Sequence, residues 1–158
     1  MAFIATGDRE DALEIVQDAM IKLANKYSDK APAEWGPLFQ RILQSTIRDW
    51  YRRSKVKHGV LRLFGINEQE EEYGADAYAG RVEDEPEQRI KTVDAVMELD
   101  AVLRELPLRQ QQVFLLREWE GLDVKATASA LGISEGSVKT HYSRAVHSLR
   151  KQLEGHWP

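Results

Sequence analysis

Apolar residues recur at helical spacing over two neighbouring stretches near the end of the chain, 124–131 and 135–153. Gly132 lies between them and can leave a helix with a positive φ, while Asp123 and Ser134 are suitable side-chain caps for the two helices. In the longer stretch the apolar positions lie three or four residues apart, on one face; they are Val138, Tyr142, Ala145, Val146, Leu149 and Leu153. The pattern predicts a helix-turn-helix.

The opposite face of the longer helix is polar and basic. Its side chains are Lys139, Thr140, Ser143, Arg144, His147 and Arg150. A helix with an apolar back and a basic front fits the major groove of duplex DNA. An ordinary helical hairpin with a solvated polar face remains the alternative.

A second amphipathic helix is predicted near the start of the chain, over 8–27, with Asp8 as its N-cap. Its apolar face comprises Leu13, Ile15, Val16, Ala19, Met20, Leu23 and Tyr27. Gln17, Asp18, Lys22 and Lys26 fall on the polar side, which by default is a solvated face.

Residues 28–37 contain two prolines and a glycine and are predicted to form a loop. Trp35 lies in this loop, either as a plug over a small core or as a base contact. Helical spacing resumes over 38–57, where Trp50 and Tyr51 stand beside several arginines. Aromatic rings suit base stacking and arginines suit phosphates, although a core helix with solvated arginines has the same pattern.

An acidic, glycine-containing segment, 58–86, is predicted to be a flexible linker. Helices are expected from Glu87 to about Leu106 and from Pro107 to near Gly121. No strand pattern is evident, so the fold class is predicted to be all-α. Two small helical domains, 1–57 and 87–158, would be joined by the linker.

The net charge of -4 is not spread evenly along the chain. Residues 1–58 carry 10 basic and 8 acidic side chains, and 101–158 carry 8 and 6, whereas 59–100 carry 4 and 12. The acidity is therefore concentrated in the middle segment. The two ends are the candidates for binding a polyanion.

Several classes of function are disfavoured by what the sequence lacks. It has no cysteine, no apolar run of membrane-spanning length and no basic-then-apolar signal pattern, which together favour a cytoplasmic protein without membrane insertion. Phosphate-loop and metalloprotease motifs are absent, and the four histidines are not spaced as metal ligands. We therefore expect no enzymatic activity, no metal and no cofactor.

Two separated blocks resemble the extracytoplasmic-function (ECF) class of RNA polymerase sigma factors. GDREDALEIVQDAMIKL and FQRILQSTIRDWYRRSK are similar to region 2 of that family. LRELPLRQQQVFLLREWEGLDVKATASALGISEGSVKTHYSRAVHSLRKQL is similar to region 4. Only seven residues precede Asp8, so the resemblance implies a chain that lacks the family's usual first helix.

The resemblance implies that the chain binds core RNA polymerase and directs promoter recognition and opening, with core polymerase, promoter DNA and an anti-sigma factor as partners. Gln17 and Asp18 match positions that contact the polymerase clamp. The positions near the strand-opening surface are Lys22, Lys26, Trp35, Ser45, Arg48 and Arg52, to which we add Trp50 and Arg53 from the basic, aromatic helix. The positions that touch the upstream duplex are Lys139, Thr140, Ser143 and Arg144.

Two other functions remain open at this stage. The region 4 pattern alone is also found in response-regulator DNA-binding domains, and a free-standing helix-turn-helix regulator would bind duplex DNA without polymerase. A protein whose helices bind only another protein would make no contact with DNA.

Overall fold

The computed structural model describes residues 1–63 and 97–153, with side chains described for 1–57 and 97–153. All regular structure in these two ranges is helical, which confirms the predicted fold class. The helices are α1 (Ala2–Thr6), α2 (Arg9–Tyr27), α3 (Pro32–Leu63), α4 (97–105), α5 (Leu108–Glu118), α6 (Val124–Leu131) and α7 (Glu135–Gln152).

Helices α1, α2 and α3 pack into a first unit. Asp8 caps α2 as predicted, since its Oδ1 accepts a hydrogen bond of 2.8 Å from the backbone N–H of Asp11. A five-residue helix, α1, stands before that cap and packs on α2 and α3. The core of the unit comprises Ala2, Ala12, Ile15, Ala19, Leu43 and Ile47.

The prediction of a loop over 28–37 is wrong for most of its length, because α3 begins at Pro32. Proline at the first helical position loses no helical hydrogen bond, because that N–H has no partner in any helix. The Glu34 carboxylate turns back to accept the N–H of Ala31 at 3.2 Å, which fixes the helix start. Pro37 lies in the second turn, where it removes the bond that its own N–H would have made and its ring crowds the carbonyl group one turn earlier.

Helix α3 also continues to Leu63, six residues beyond the predicted end at Lys57. The backbone of 58–63 is therefore helical, where a linker was predicted. The rest of the predicted linker, and the part of the following helix before residue 97, lie outside the described residues.

Helices α4 to α7 form a second unit with two adjoining clusters. Val113 and Leu116 of α5 pack with α6 and with Val138 of α7. A neighbouring cluster joins α4, α5 and α7 through Leu103, Leu106, Leu115, Ala145 and Leu149. Helix α5 thus contacts both helices of the helix-turn-helix and also contacts α4.

The two units contact each other through buried amide side chains. The Gln112 Nε2 donates to the Gln44 Oε1 at 3.0 Å and to the Gln44 main-chain oxygen at 3.2 Å. The Gln111 Nε2 donates to the main-chain oxygens of Leu103, at 2.9 Å, and of Ile4, at 3.5 Å. Helix α3 packs along α6, so one face of α3 is partly covered by the second unit.

Candidate nucleic-acid interface

The helix-turn-helix has the caps and the glycine turn that were predicted for it. An Asp123 carboxylate oxygen accepts the N–H of Ala126 at 2.7 Å, and the Ser134 Oγ accepts the N–H of Ser137 at 3.1 Å. Gly132 ends α6 with φ 63° and ψ 40°, in the left-handed region. Together these local features set the direction in which α7 leaves α6.

Helix α7 presents its predicted duplex-binding residues to solvent. Val138 is buried against α5 and α6, and Ala145 and Leu149 are buried against α4 and α5. The four predicted contacts, Lys139, Thr140, Ser143 and Arg144, are all exposed.

The two cations of that set have no competing partner inside the described part of the chain. Neither Lys139 nor Arg144 forms an ion pair or a side-chain hydrogen bond there. Thr140 differs, because its Oγ1 donates to the main-chain oxygen of Gly136 at 3.0 Å. The basic face of α7 is therefore free to meet phosphates and base edges in a groove.

Tyr142 braces α7 against α5. Its hydroxyl donates to the Glu118 Oε1 at 2.6 Å, and its ring stacks on Phe114 with centroids 6.4 Å apart. The Arg117 guanidinium lies over the same ring at 5.7 Å. The hydrogen bond to Glu118 raises the pKa of Tyr142 above its ordinary value, and burial adds to the shift. Tyr142 therefore supports the basic face without belonging to it.

A cavity of about 450 Å³ opens between α2 and α3. It brings together three of the residues predicted for strand opening, Lys22, Lys26 and Ser45, and adds Tyr27 and Arg41. The Lys22 Nζ is held by the Asp18 Oδ2 at 2.7 Å, one turn earlier on α2. A concave site with cations at its edge and a tyrosine in its wall can hold a base that has left the stack.

The other residues predicted for strand opening do not line this cavity. Trp35 is exposed at the start of α3, where its Nε1 donates to the main-chain oxygen of Lys30 at 3.1 Å. Trp50 packs on the core of the first unit. Arg52 pairs with Asp49 at 2.9 Å, and the Arg53 Nε donates to the Asp49 main-chain oxygen at 3.4 Å. The predicted set is thus spread along α3.

Arg48 lines a different cavity, of about 230 Å³, at the contact between the two units. Arg41 and Arg109 line it as well, and neither was among the predicted site residues. Arg41 could have been found, because it lies seven residues before Arg48 and therefore on the same face of α3. Arg109 could not, because only the packing of the second unit on the first brings it there.

The outer face of α2 carries the residues predicted to bind polymerase. Gln17 is exposed and Asp18 is half-buried. Around them Leu13, Met20 and Ile21 are exposed to 53%, 58% and 59%. The assignment of Leu13 and Met20 to the core face was wrong, because the apolar face of α2 is wider than the surface that α1 and α3 cover.

The described residues contain no group of acidic or histidine side chains placed to hold a metal ion. Across the same ranges, none of the helices is both apolar enough and long enough to span a bilayer.

Comparison with known proteins covers both units. The family model described as Sigma-70, region 4, matches residues 96–149. An RNA polymerase sigma-E factor of Streptomyces antibioticus is 31% identical over 148 residues, which are 93% of this chain and 73% of that protein. The ECF RNA polymerase sigma factor SigX of Bacillus subtilis is 25% identical over 160 residues, which cover 96% of this chain and 75% of that protein.

A solved structure has the same fold. It is the sigma factor RpoE in complex with the anti-sigma factor NepR from Bartonella quintana, with a TM-score of 0.68 at 18% identity. The match covers 99% of this chain and 89% of that one.

This chain belongs to the ECF class of RNA polymerase sigma factors. As predicted from the two blocks, it acts in transcription initiation, directing RNA polymerase to promoters. The similarity to these sigma factors extends through the first unit. The alternative of a free-standing helix-turn-helix regulator does not account for that similarity.

Proposed function

We propose that the chain divides promoter recognition between two surfaces: α7 reads the upstream duplex, and the α2–α3 cavity holds a base from the opened strand. The observation that carries this proposal is the form of the two surfaces. The α7 surface is convex and basic and suits a groove, whereas the α2–α3 surface is concave and suits a single unstacked base. Residues 1–57 and 87–158 would then be the two functional units.

On α7, Lys139, Thr140, Ser143 and Arg144 are the proposed contacts with the minus-thirty-five element. Arg144 contributes most to sequence recognition in this proposal. Its guanidinium has no partner among the described residues and can bind a guanine edge through two hydrogen bonds. Thr140 already uses its hydroxyl hydrogen on Gly136, so its role would be acceptance of a hydrogen bond or contact through its methyl group.

In the first unit, Lys22, Lys26 and Ser45 would surround a base of the minus-ten element. Arg48, Arg52 and Arg53 would then follow the phosphates along α3, with Trp35 near the start of the helix and Trp50 between Arg48 and Arg52. Among the described residues, Lys22 pairs with Asp18 and Arg52 with Asp49, whereas Lys26 and Arg48 form no ion pair and are available for phosphates.

The exposed apolar stripe on α2 is the proposed contact with the polymerase clamp. Leu13, Met20 and Ile21 supply apolar area, and Gln17 and Asp18 supply polar contacts beside it. Three large apolar side chains exposed together on one helix are typical of a protein interface. An anti-sigma factor, like the one bound by RpoE of Bartonella quintana, would act by covering such surfaces. The chain would work in the cytoplasm and have no catalytic activity of its own.

Gel filtration of the full chain with core RNA polymerase tests the docking surface. We expect the wild-type chain to co-elute with the core enzyme, and Ile21→Asp to weaken this association by about tenfold or more, because a charge would be buried in an apolar contact. Val56→Asp is the matched control, because Val56 is an exposed apolar residue on α3. Equal co-elution of both variants would contradict the assignment of the α2 stripe.

A further inference from the structure

Three arginines line the cavity between the two units. Arg41 and Arg48 reach it from α3, and Arg109 reaches it from the start of α5. The opposite wall is the end of α6, from Ala130 to Gly132. Within the described ranges, no carboxylate lines this cavity, and the end of α6 offers only the partial negative charge of its carbonyl groups.

Among the described residues, these three arginines have no acidic partner, unlike several other cations. Lys22, Arg52 and Arg104 each pair with an aspartate on their own helix. With the described residues, Arg41 and Arg48 form neither an ion pair nor a hydrogen bond, and Arg109 donates only to the neutral Gln112 Oε1, at 3.2 Å.

The arginines also repel one another across the contact. Burial lowers the pKa of Arg109 below its ordinary value, and the nearby charge of Arg48 lowers it further. Helix α3 and helix α5 therefore bring like charges together when the units pack. An anion between them would convert this repulsion into attraction.

We propose that this cavity binds a small phosphoanion, which Arg41, Arg48 and Arg109 hold between the two units. Guanidinium groups suit phosphate oxygens, because their paired N–H groups match the spacing of two oxygens. The Ser45 hydroxyl on the same wall supplies a further donor. A volume of about 230 Å³ equals that of several water molecules of about 30 Å³ each, which is enough for phosphate or pyrophosphate.

Such an anion would favour the packing of the two units on each other, because its ligands come from both units. The bound form would be more stable by an amount set by anion concentration and affinity. Arg41 and Ser45 also line the α2–α3 cavity. If that cavity holds a promoter base, as proposed above, a bound anion would compete with DNA for Arg41 and Ser45. Binding itself needs neither polymerase nor DNA.

The test measures binding of inorganic pyrophosphate to the full chain by calorimetry, and its effect on the melting temperature, against sodium chloride at equal ionic strength. We expect pyrophosphate to bind and to raise the melting temperature where chloride does not. Arg41→Gln and Arg109→Gln should each weaken binding about tenfold or more, as expected for loss of a charged hydrogen bond. Arg41 is exposed, so its substitution leaves the fold intact even if Arg109→Gln does not.

Arg9→Gln is the charge-matched control, because Arg9 is exposed at the start of α2 and lines neither cavity. A single-stranded oligonucleotide in place of pyrophosphate distinguishes the two sources of phosphate. If only the oligonucleotide binds in a manner that depends on Arg41, the proposal of a free anion is overturned and the ligand is the DNA backbone. Equal responses of wild type, Arg41→Gln and Arg9→Gln, or an equal effect of chloride, would overturn the site itself.

Discussion

At the scale of single residues, two buried polar side chains, Thr127 and Gln112, have specific partners. Thr127 is completely buried in α6, and its Oγ1 donates to the main-chain oxygen of Asp123 at 2.7 Å. Gln112 is similarly buried and is satisfied by Gln44. Buried polar groups are tolerated when their hydrogen bonds are made, which explains how a threonine occupies a fully buried position in α6.

Arg144 is the residue whose loss should change duplex recognition most. If Arg144 binds a base edge, Arg144→Ala should cost about 1–3 kcal/mol of promoter binding and relax the preference at one base pair. If it meets only phosphate, the loss should be smaller and uniform across sequences, with a lower salt dependence. Binding of fluorescent duplexes by the polymerase complex measures both effects. Arg9→Ala is the control, and the same loss in that variant would contradict a specific role.

The hydrogen bond from Tyr142 to Glu118 should make stability depend on pH in the alkaline range. The folded state raises the pKa of Tyr142 above its ordinary value of 10.0, so the protonated hydroxyl stabilises the fold. This contribution is complete below about pH 10 and is lost as the pH rises through the raised value. The stability difference between wild type and Tyr142→Phe should therefore shrink above that pH in denaturant titrations.

Tyr51→Phe is the control for that titration. Tyr51 lies on α3 and makes a contact with Lys55 through its ring, and its hydroxyl has no hydrogen bond to the described residues. An equal change of stability with pH in the Tyr51 and Tyr142 variants would contradict the role of Glu118.

At the scale of elements, the turn of the helix-turn-helix depends on one backbone conformation. Gly132→Ala should destabilise the second unit by about 1–2 kcal/mol, because an L side chain is strained at a φ of 63° even where space is open. Gly136→Ala, four residues later inside α7, should instead stabilise by up to about 1 kcal/mol through helix propensity. Urea denaturation measures both, and changes of the same sign would contradict this account of the turn.

The sequence predicted the elements well where local chemistry decides them. Asp8, Asp123 and Ser134 cap helices as expected, and Gly132 forms the expected turn. The start of α3 was missed because two prolines and a glycine are typical of loops. Proline is in fact tolerated at the first helical position, which Pro32 occupies. Glu34 stabilises the helix start, because its carboxylate accepts the N–H of Ala31, three residues earlier. Whether a helix tolerates a proline in this way depends on which of its turns the proline occupies.

The sequence predicted less of the candidate site, because a site depends on packing between elements. The residues of α7 could be placed from one helix alone, since a buried stripe defines its opposite face. Lys22, Lys26 and Ser45 come from two helices, and periodicity does not show that they share one cavity. Nor does periodicity show which apolar residues of α2 remain exposed to solvent. Leu13 and Met20 lie on its apolar face and are nevertheless exposed.

At the scale of the whole molecule, Gln112 should control how firmly the two units pack. Gln112→Ala leaves the buried Gln44 Oε1 without its donor and should weaken the packing by about 1–3 kcal/mol. We expect a larger radius of gyration by small-angle X-ray scattering and faster hydrogen exchange in α3 and α6. Gln110→Ala is the control on the same helix, because its side chain has no hydrogen bond to the described residues. Equal effects of the two variants would contradict the role of the Gln44–Gln112 contact in holding the two units together.

This chain makes promoter use possible for a separate enzyme, core RNA polymerase. The most direct measurement maps transcription start sites on native genomic DNA with purified core RNA polymerase, with and without the full chain. We predict new, discrete start sites when the chain is present, and their loss or strong reduction with Arg144→Ala but not with Arg9→Ala. An identical pattern of transcripts with and without the chain would contradict the claim.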